Sequence, residues 1–190
     1  MHLSLSFLEG RATRMEGALA MVKSSLEKYG ISCTLDLINR TLTISTTEAS
    51  KEYPDAFEKA RHLLQLLTTT NVPPALAIDL ALNGKQHEFI EIGFQEGGLC
   101  SMYGIKKEQY CKRLKWLTRS VKGIRELTGC DDIYCSASGG TITAVSPSRA
   151  GLVAFRKVVL TCIVEDTDPA YFIRKASTRK LKKSIKRLLA

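Results

Sequence analysis

Two short stretches, Thr41-Leu42-Thr43-Ile44 and Thr141-Ile142-Thr143-Ala144, share a pattern in which threonine alternates with an apolar residue. Alternation with period two is typical of a β-strand that turns one face toward a core. Each stretch follows another alternating strand and a turn, and each precedes a long amphipathic helix. The sequence therefore predicts two copies of one structural unit.

The first copy is predicted to contain a strand, a helix, a hairpin and a second helix. The hairpin joins strands at 31–38 and 41–45 through Asn39-Arg40. The first helix ends at Gly30, and its apolar residues at helical spacing are Met15, Ala18, Leu19, Val22, Leu26 and Tyr29. The second helix has Pro54 in its first turn, and its apolar face is Ala56, Phe57, Ala60, Leu63, Leu64 and Leu67.

The second copy is predicted to repeat this order after a strand at 87–93. Two short helical stretches, about 106–117 and 119–128, precede strands at 133–135 and 141–145. Ser138-Gly139-Gly140 lies between those strands, where a hairpin turn is favoured over a phosphate-binding loop. A unit of this kind forms a three-stranded sheet with helices on one face, so the predicted fold class is α+β.

The chain is predicted to divide into four segments. Residues 1–72 form the first domain, 73–85 a linker helix, and 86–168 the second domain. Residues 169–190 form a basic C-terminal extension whose weak helical stripe leaves open whether it is helical or extended.

Charge is distributed unevenly along the chain, which carries a net +9. Residues 1–95 contain 9 Lys/Arg and 11 Asp/Glu, whereas residues 96–190 contain 19 and 8. A one-sided positive charge favours a polyanionic partner.

The hydrophobic fraction of 44% is typical of a folded protein. No apolar run reaches the roughly 20 residues of a membrane-spanning helix, and the basic segment lacks the bulky apolar face of a membrane-surface helix.

The six cysteines are scattered and form no C-x-x-C pair. They are interpreted as reduced, mostly packed thiols of a cytosolic or nuclear protein. A zinc site built from Cys100, Cys111, Cys130 and Cys135 is a weaker alternative, because the spacing fits no known ribbon or finger.

Catalytic signals are scarce. His2, His62 and His87 lie in unrelated contexts, and a catalytic base needs a partner within reach. Nucleotide-binding glycine motifs and a nucleophile elbow are absent from the sequence. The chain is therefore predicted not to be an enzyme and to need no cofactor or metal, with an RNA-acting enzyme as a remote alternative.

Several stretches resemble one known family, in the same order along nearly the whole chain. They are Cys33-Thr34-Leu35-Asp36-Leu37, Thr46-Thr47, 59–67, Phe89-Ile90-Glu91-Ile92-Gly93, Lys107-Glu108-Gln109-Tyr110, Lys112-Arg113, Leu127-Thr128-Gly129-Cys130, Thr141-Ile142-Thr143-Ala144, Gly151-Leu152, 156–159 and Asp168-Pro169-Ala170-Tyr171-Phe172-Ile173. The family is the KRR-R motif-containing KH proteins of the small-subunit processome. The resemblance implies two tandem type I KH-like domains.

This resemblance implies a nucleolar ribosome-assembly factor that binds pre-rRNA and other assembly proteins during small-subunit rRNA processing. The first domain is then a degenerate KH domain that binds proteins, and the second contacts RNA. The alternative within the same class is another tandem-KH assembly factor, the partner of the dimethylase and the site-D endonuclease. That relative lacks the Leu-Asp-Leu hairpin and the proline-tyrosine segment.

The chain departs from the family at two points. The Lys-Arg-Arg run is reduced to Lys112-Arg113-Leu114-Lys115, and the Gly-Pro-Asn-Gly loop has no counterpart. Only Thr118-Arg119-Ser120 lie between Leu117 and Val121. In a KH domain the GxxG loop clamps about four nucleotides, so the missing loop predicts that this domain does not read sequence as a KH domain does.

The predicted RNA contacts are basic residues of the second half. Tyr110 and Trp116 lie among them and are candidates for base stacking, although a tryptophan more often packs against its own domain. The predicted contacts are Lys106, Lys107, Lys112, Arg113, Lys115, Arg119, Lys122, Arg125, Arg174, Lys175, Arg179, Lys180, Lys182, Lys183, Lys186 and Arg187.

Overall fold

The computed structural model describes the backbone of residues 1–188 and the side chains of residues 1–178. It divides into two compact units, the first spanning Met1–Lys85 and the second beginning at Gln86. The described part of the chain contains two three-stranded antiparallel sheets and seven α-helices, which confirms the predicted α+β class. Within that part, no helix has both the length and the apolar character needed to cross a membrane.

The first unit contains three strands and three α-helices. In chain order these are β1 (His2–Ser6), α1 (Ala12–Glu27), β2 (Ile31–Asp36), β3 (Thr41–Thr46), α2 (Ala56–Thr69) and α3 (Pro74–Ala81). The strand order is β1-β3-β2. The central strand β3 buries Leu42 and Ile44, because alternate residues of a strand point to the same face and α2 packs on that face.

The predicted helix end at Gly30 has a steric cause. Gly30 adopts a left-handed conformation with φ +68°, which favours glycine. A Cβ atom there would collide with the backbone of Ala49 and Ser50. Glycine therefore lets the chain leave α1 and enter β2 beneath the segment that follows β3.

The helix predicted as a linker belongs to the first unit. α3 packs against α1 and α2 and buries Ala77 and Leu80. Two arginines of the first helical region, Arg11 and Arg14, donate hydrogen bonds to the Thr70 carbonyl, which follows α2. The domain boundary therefore moves from residue 72 to residue 85, because the apolar face of α3 completes a core rather than spanning a gap.

The second unit repeats the strand order of the first. Its elements are β4 (His87–Glu91), α4 (Leu99–Met102), α5 (Lys107–Thr128), β5 (Asp132–Ser136), β6 (Thr141–Val145), α6 (Arg149–Ile163) and α7 (Pro169–Leu188). The sheet order is β4-β6-β5, and Ile142 on the central strand is fully buried. The third strand of each unit is therefore the central strand of its sheet.

The hairpin turn predicted at Ser138-Gly139-Gly140 is confirmed. It joins β5 to β6, and Gly140 has φ +58°. The Gly140 carbonyl accepts hydrogen bonds from Ile92 N (2.7 Å), Gly93 N (2.9 Å) and Gln95 Nε2 (3.0 Å). The turn is therefore fixed to the loop after β4.

The two short helices predicted at 106–117 and 119–128 form one continuous helix, α5. Leu117, Ser120 and Ile124 are all buried at helical spacing, so Thr118-Arg119-Ser120 continue the helix rather than interrupt it. The predicted break at residue 118 was wrong, because the buried apolar spacing continues through it. The helix ends at Gly129, which is left-handed with φ 73°.

The C-terminal extension begins as a packed helix. Asp168 Oδ1 accepts a hydrogen bond from Ala170 N at 2.9 Å, and its Oδ2 accepts one from the Arg119 guanidinium. A Cβ atom at Gly123 would lie 2.6 Å from Ile173 Cδ1, so glycine on α5 permits close contact with α7. The first turns of α7 are therefore part of the second unit, and the side chains of residues 179–190 lie outside the described residues.

Candidate nucleic-acid interface

The basic residues of α5 lie on a helix with one buried and one exposed face. The buried face contains Tyr110, Arg113, Leu117, Ser120, Ile124 and Thr128. Lys107, Lys115 and Lys122 are exposed, and their spacing of eight and seven residues places them along one side of the helix. We call these three residues the lysine stripe.

The lysine stripe is long and free of acidic partners. Within the part of the chain whose side chains are described, none of its three ammonium groups forms an ion pair. At a rise of 1.5 Å per residue, Lys107 and Lys122 are separated by about 22 Å along the helix axis. The stripe therefore presents an extended row of hydrated positive charges that suits a polyanion.

Arg113 is not available to RNA. Its side chain is only 6% exposed, Nη1 donates to the Ile163 carbonyl at 2.5 Å, and Nε donates to Asp166 Oδ1 at 3.1 Å. A buried guanidinium is tolerated only when its charge and its N–H groups are satisfied. Arg113 therefore joins α5 to the segment after α6, and its prediction as an RNA contact is corrected.

Three other predicted contacts are exposed but already paired. Lys112 Nζ lies 3.6 Å from Asp166 and 4.5 Å from the Trp116 ring centroid, and Arg119 pairs with Asp168. Arg125 lies 3.6 Å from Asp132. An RNA phosphate would have to compete with these carboxylates, so these residues are weaker candidates than the stripe. Lys106 is exposed next to Lys107.

Asp166 and Asp168 are functional neighbours that sequence reasoning missed. Asp166 pairs with Lys112 and Arg113, and Asp168 pairs with Arg119. Their position in the sequence could have indicated that they pair with nearby cations. With Glu165, they are the last acidic residues before the basic C-terminal segment.

The two aromatic candidates have different surroundings. Tyr110 is buried, packs edge to face on Phe94 at 5.4 Å between ring centroids, and its burial raises its pKa to about 12. It cannot stack on a base without leaving the core, so that prediction is wrong. Trp116 is half-buried against the core of the second unit, as expected for a packed tryptophan.

The C-terminal basic residues are only partly described. Arg174 and Lys175 are exposed, and Lys175 Nζ lies 5.6 Å from the Tyr171 ring centroid. The remaining predicted contacts have side chains outside the described residues, namely Arg179, Lys180, Lys182, Lys183, Lys186 and Arg187.

The stretch that the resemblance aligns with a Gly-Pro-Asn-Gly loop is helical in this structure. Thr118, Arg119 and Ser120 have their backbone groups inside α5. A GxxG loop grips nucleic acid because its glycines allow the backbone to approach the phosphates closely. A continuous helix cannot provide this approach, so contacts here are made by side chains.

The cysteines and histidines form no chemical centre in the described residues. No three His, Cys, Asp or Glu side chains there are grouped in a way that could hold a metal ion, so the alternative zinc site receives no support. Burial raises the pKa of Cys135 to about 11 and that of Cys162 to about 12, which keeps both thiols protonated. His2, His62 and His87 lie on β1, α2 and β4.

Comparison with known proteins shows which solved structures have a fold similar to that of this chain. No protein-family profile matches the chain. Three solved archaeal structures are similar to it. A protein of unknown function from Aeropyrum pernix has 16% sequence identity and a TM-score of 0.63, with 98% of each chain covered. Dim2p from Pyrococcus horikoshii has 15% identity and a TM-score of 0.61, covering 92% of this chain and 99% of that one.

The third structure is a complex of a/eIF2alpha, aDim2p and rRNA from Pyrococcus horikoshii. It has 16% identity and a TM-score of 0.65, covering 96% of this chain and 95% of that chain. At this level of identity the likeness shows that this chain has the fold of these proteins over almost its whole length.

Proposed function

We propose that this chain is a non-enzymatic RNA-binding assembly factor of the small ribosomal subunit, acting in the nucleolus as a component of the small-subunit processome. The observation that carries the proposal is the lysine stripe, a row of exposed cations that form no ion pair with the described residues and lie on the continuous helix α5. The chain shares its fold with Dim2p, and one of the similar structures is a complex of Dim2p with a/eIF2alpha and rRNA. This likeness supports the choice of ribosomal RNA.

The stripe binds phosphates rather than bases. Lysine is a compact point charge with no planar fork for bidentate contacts, and Trp116, whose ring lies under Lys112 Nζ, is half-buried. Neutralising phosphates releases counterions, so affinity falls steeply with salt and depends little on sequence. The favoured ligand is therefore structured rRNA recognised through its backbone.

The first unit takes the role of binding proteins. With the boundary at residue 85 it contains nine basic and nine acidic residues, so it is neutral rather than acidic. The second unit then carries the whole net charge of +9, with 19 basic and ten acidic residues. A neutral unit gives little electrostatic attraction to RNA, which supports a division of roles between the two units.

The experiment is a charge reversal of the stripe with a matched control. Lys107→Glu, Lys115→Glu and Lys122→Glu are combined in one variant. The control combines Lys28→Glu, Lys51→Glu and Lys59→Glu, three exposed residues of the first unit. Both variants change the net charge equally, so they separate local contact from overall attraction.

The stripe variant should bind a small-subunit rRNA fragment at least about a hundredfold more weakly at fixed salt, because three contacts are replaced by repulsions. The control should lose much less. Equal losses in the two variants would show that the stripe is not the site.

A second candidate is the other tandem-KH assembly factor, the partner of the dimethylase and the endonuclease. The observation that favours it is the fold, because two of the similar solved structures are of archaeal Dim2p. Affinity purification of the tagged chain separates the two, since recovery of the dimethylase and the endonuclease as stoichiometric partners would favour this candidate.

A further inference from the structure

A groove on the second unit lies apart from the lysine stripe, although Lys175, one of the C-terminal RNA contacts predicted from the sequence, lines it. Its volume is about 550 Å³, and it is lined by α6, α7 and the last turn of α5. Its apolar lining includes Leu127, Val158 and Phe172, and none of the lysine-stripe residues contributes to it. This volume is in the range of binding pockets in proteins.

Small residues keep the groove open. α6 lines it with Ala154, which is exposed, and α7 lines it with Ala176, which is half-buried. Larger side chains at these two positions would fill the space from both helices. The result is an open apolar groove between two helices, which is the kind of shape that receives an amphipathic helix.

The charged residues that line the groove, within the part of the chain whose side chains are described, are both cations. They are Lys157 on α6 and Lys175 on α7, and both are exposed. A lysine can cover apolar surface with its methylene groups while its ammonium group stays in water. An occupant of this groove therefore meets an apolar surface with a positive charge contributed by each of the two helices.

We propose that the groove binds an acidic amphipathic helix of a partner protein. Such a helix inserts apolar anchors spaced at i, i+3, i+4 and i+7, and its flanking carboxylates meet Lys157 and Lys175. The chain's own residues 179–190 are excluded as the occupant because they contain six basic residues and no acidic one. RNA would satisfy the lysines but leave the apolar lining uncovered. This inference adds a protein-docking site to the unit that the proposed function assigns to RNA.

The probes for this proposal are two synthetic amphipathic peptides of equal length with leucines at helical spacing. One carries glutamate at its polar positions, and the other carries lysine. Fluorescence anisotropy measures the binding of each peptide to the full chain. The glutamate peptide should bind at least about tenfold more tightly, because like charges across an interface are costly. Absence of binding, or equal binding of both peptides, would overturn the proposal.

Two variants place the binding in the groove. Combining Lys157→Glu with Lys175→Glu should reverse the preference, so that the lysine peptide binds more tightly. Ala154→Trp should fill the groove and weaken both peptides, and circular dichroism checks that it is folded. The lysine-stripe variant serves as the control, because it should bind the peptides as the wild-type chain does. This result is expected whether or not the variant loses RNA affinity, so the two proposals are tested separately.

RNA is measured in the same variants. If the Lys157→Glu and Lys175→Glu variant loses rRNA affinity as strongly as the stripe variant, and its peptide preference does not reverse, the groove is an RNA site and the proposal fails.

Discussion

Arg113 and Lys115 lie two positions apart on α5 and have opposite surroundings. Arg113 is buried and donates to Ile163 and Asp166, whereas Lys115 is exposed and has no ion pair among the described residues. A helix turns by about 200° between positions two apart, so neighbouring charges in sequence face in different directions. Whether a cation supports the fold or meets a ligand is therefore set by its angle on α5.

This difference predicts that the same substitution destabilises the protein at Arg113 but has little effect on stability at Lys115. Arg113→Met should lower the free energy of unfolding by about 1–3 kcal/mol, because it leaves the buried Ile163 carbonyl without this donor and removes one of the two cations that pair with Asp166. Lys115→Met should change it by no more than about 0.5 kcal/mol. Urea denaturation measures both. A stable Arg113→Met protein with reduced RNA affinity would restore Arg113 to the RNA contacts.

Cysteine reactivity gives a second test at the residue scale. Cys111 is exposed, whereas Cys33, Cys100, Cys130 and Cys162 are buried and Cys135 is half-buried. Burial raises the pKa of Cys33 to about 11, so little thiolate forms at neutral pH. Brief iodoacetamide treatment of the native protein near pH 8 should give one adduct, on Cys111, by mass spectrometry. Rapid labelling of several cysteines would contradict the packing described.

Sequence reasoning located most elements because the apolar spacing repeats over long stretches. The stripe from Met15 to Leu26 and the hairpin strands became α1, β2 and β3 as predicted. The sequence-based predictions failed where the local pattern of residues carries no information about the structure. The join at Thr118 has no breaker residue, and the burial of Arg113 depends on Asp166, which is distant in sequence. Contacts of this kind are fixed by tertiary packing, which a local pattern does not encode.

At the scale of elements, α5 and α7 form one assembly. Ile173 packs at Gly123, and Asp168 both starts α7 and pairs with Arg119. The first turns of α7 therefore pack against α5, and the sequence that follows them is strongly basic. The segment predicted as a separate extension is better described as a helix of the second unit that carries basic residues beyond it.

Two truncations separate these parts of α7. Ending the chain after Thr178 removes six basic residues and none of the contacts described above, so thermal stability should be kept while rRNA affinity falls. Ending it after Asp168 also removes Phe172 and Ile173, which should cost about 2–4 kcal/mol. Calorimetry and filter binding measure the two effects. Equal stability of both truncated proteins would show that α7 is not docked.

At the scale of the whole molecule, charge is divided between two units of the same topology. The first unit is neutral and the second carries the net +9 of the chain. Because both have the same strand order, the fold alone does not explain the difference in their proposed roles. What differs is the surface of α5, where an uninterrupted helix presents the lysine stripe.

The most direct test of this account is the salt dependence of rRNA binding. The slope of log affinity against log salt counts the phosphates neutralised, at about 0.7–0.9 per contact. Charge reversal of Lys107, Lys115 and Lys122 should reduce the magnitude of this slope by about 2–3, whereas reversal of Lys28, Lys51 and Lys59 should leave it nearly unchanged. If the stripe variant keeps the wild-type slope, or if both variants reduce it equally, α5 is not the RNA-binding surface.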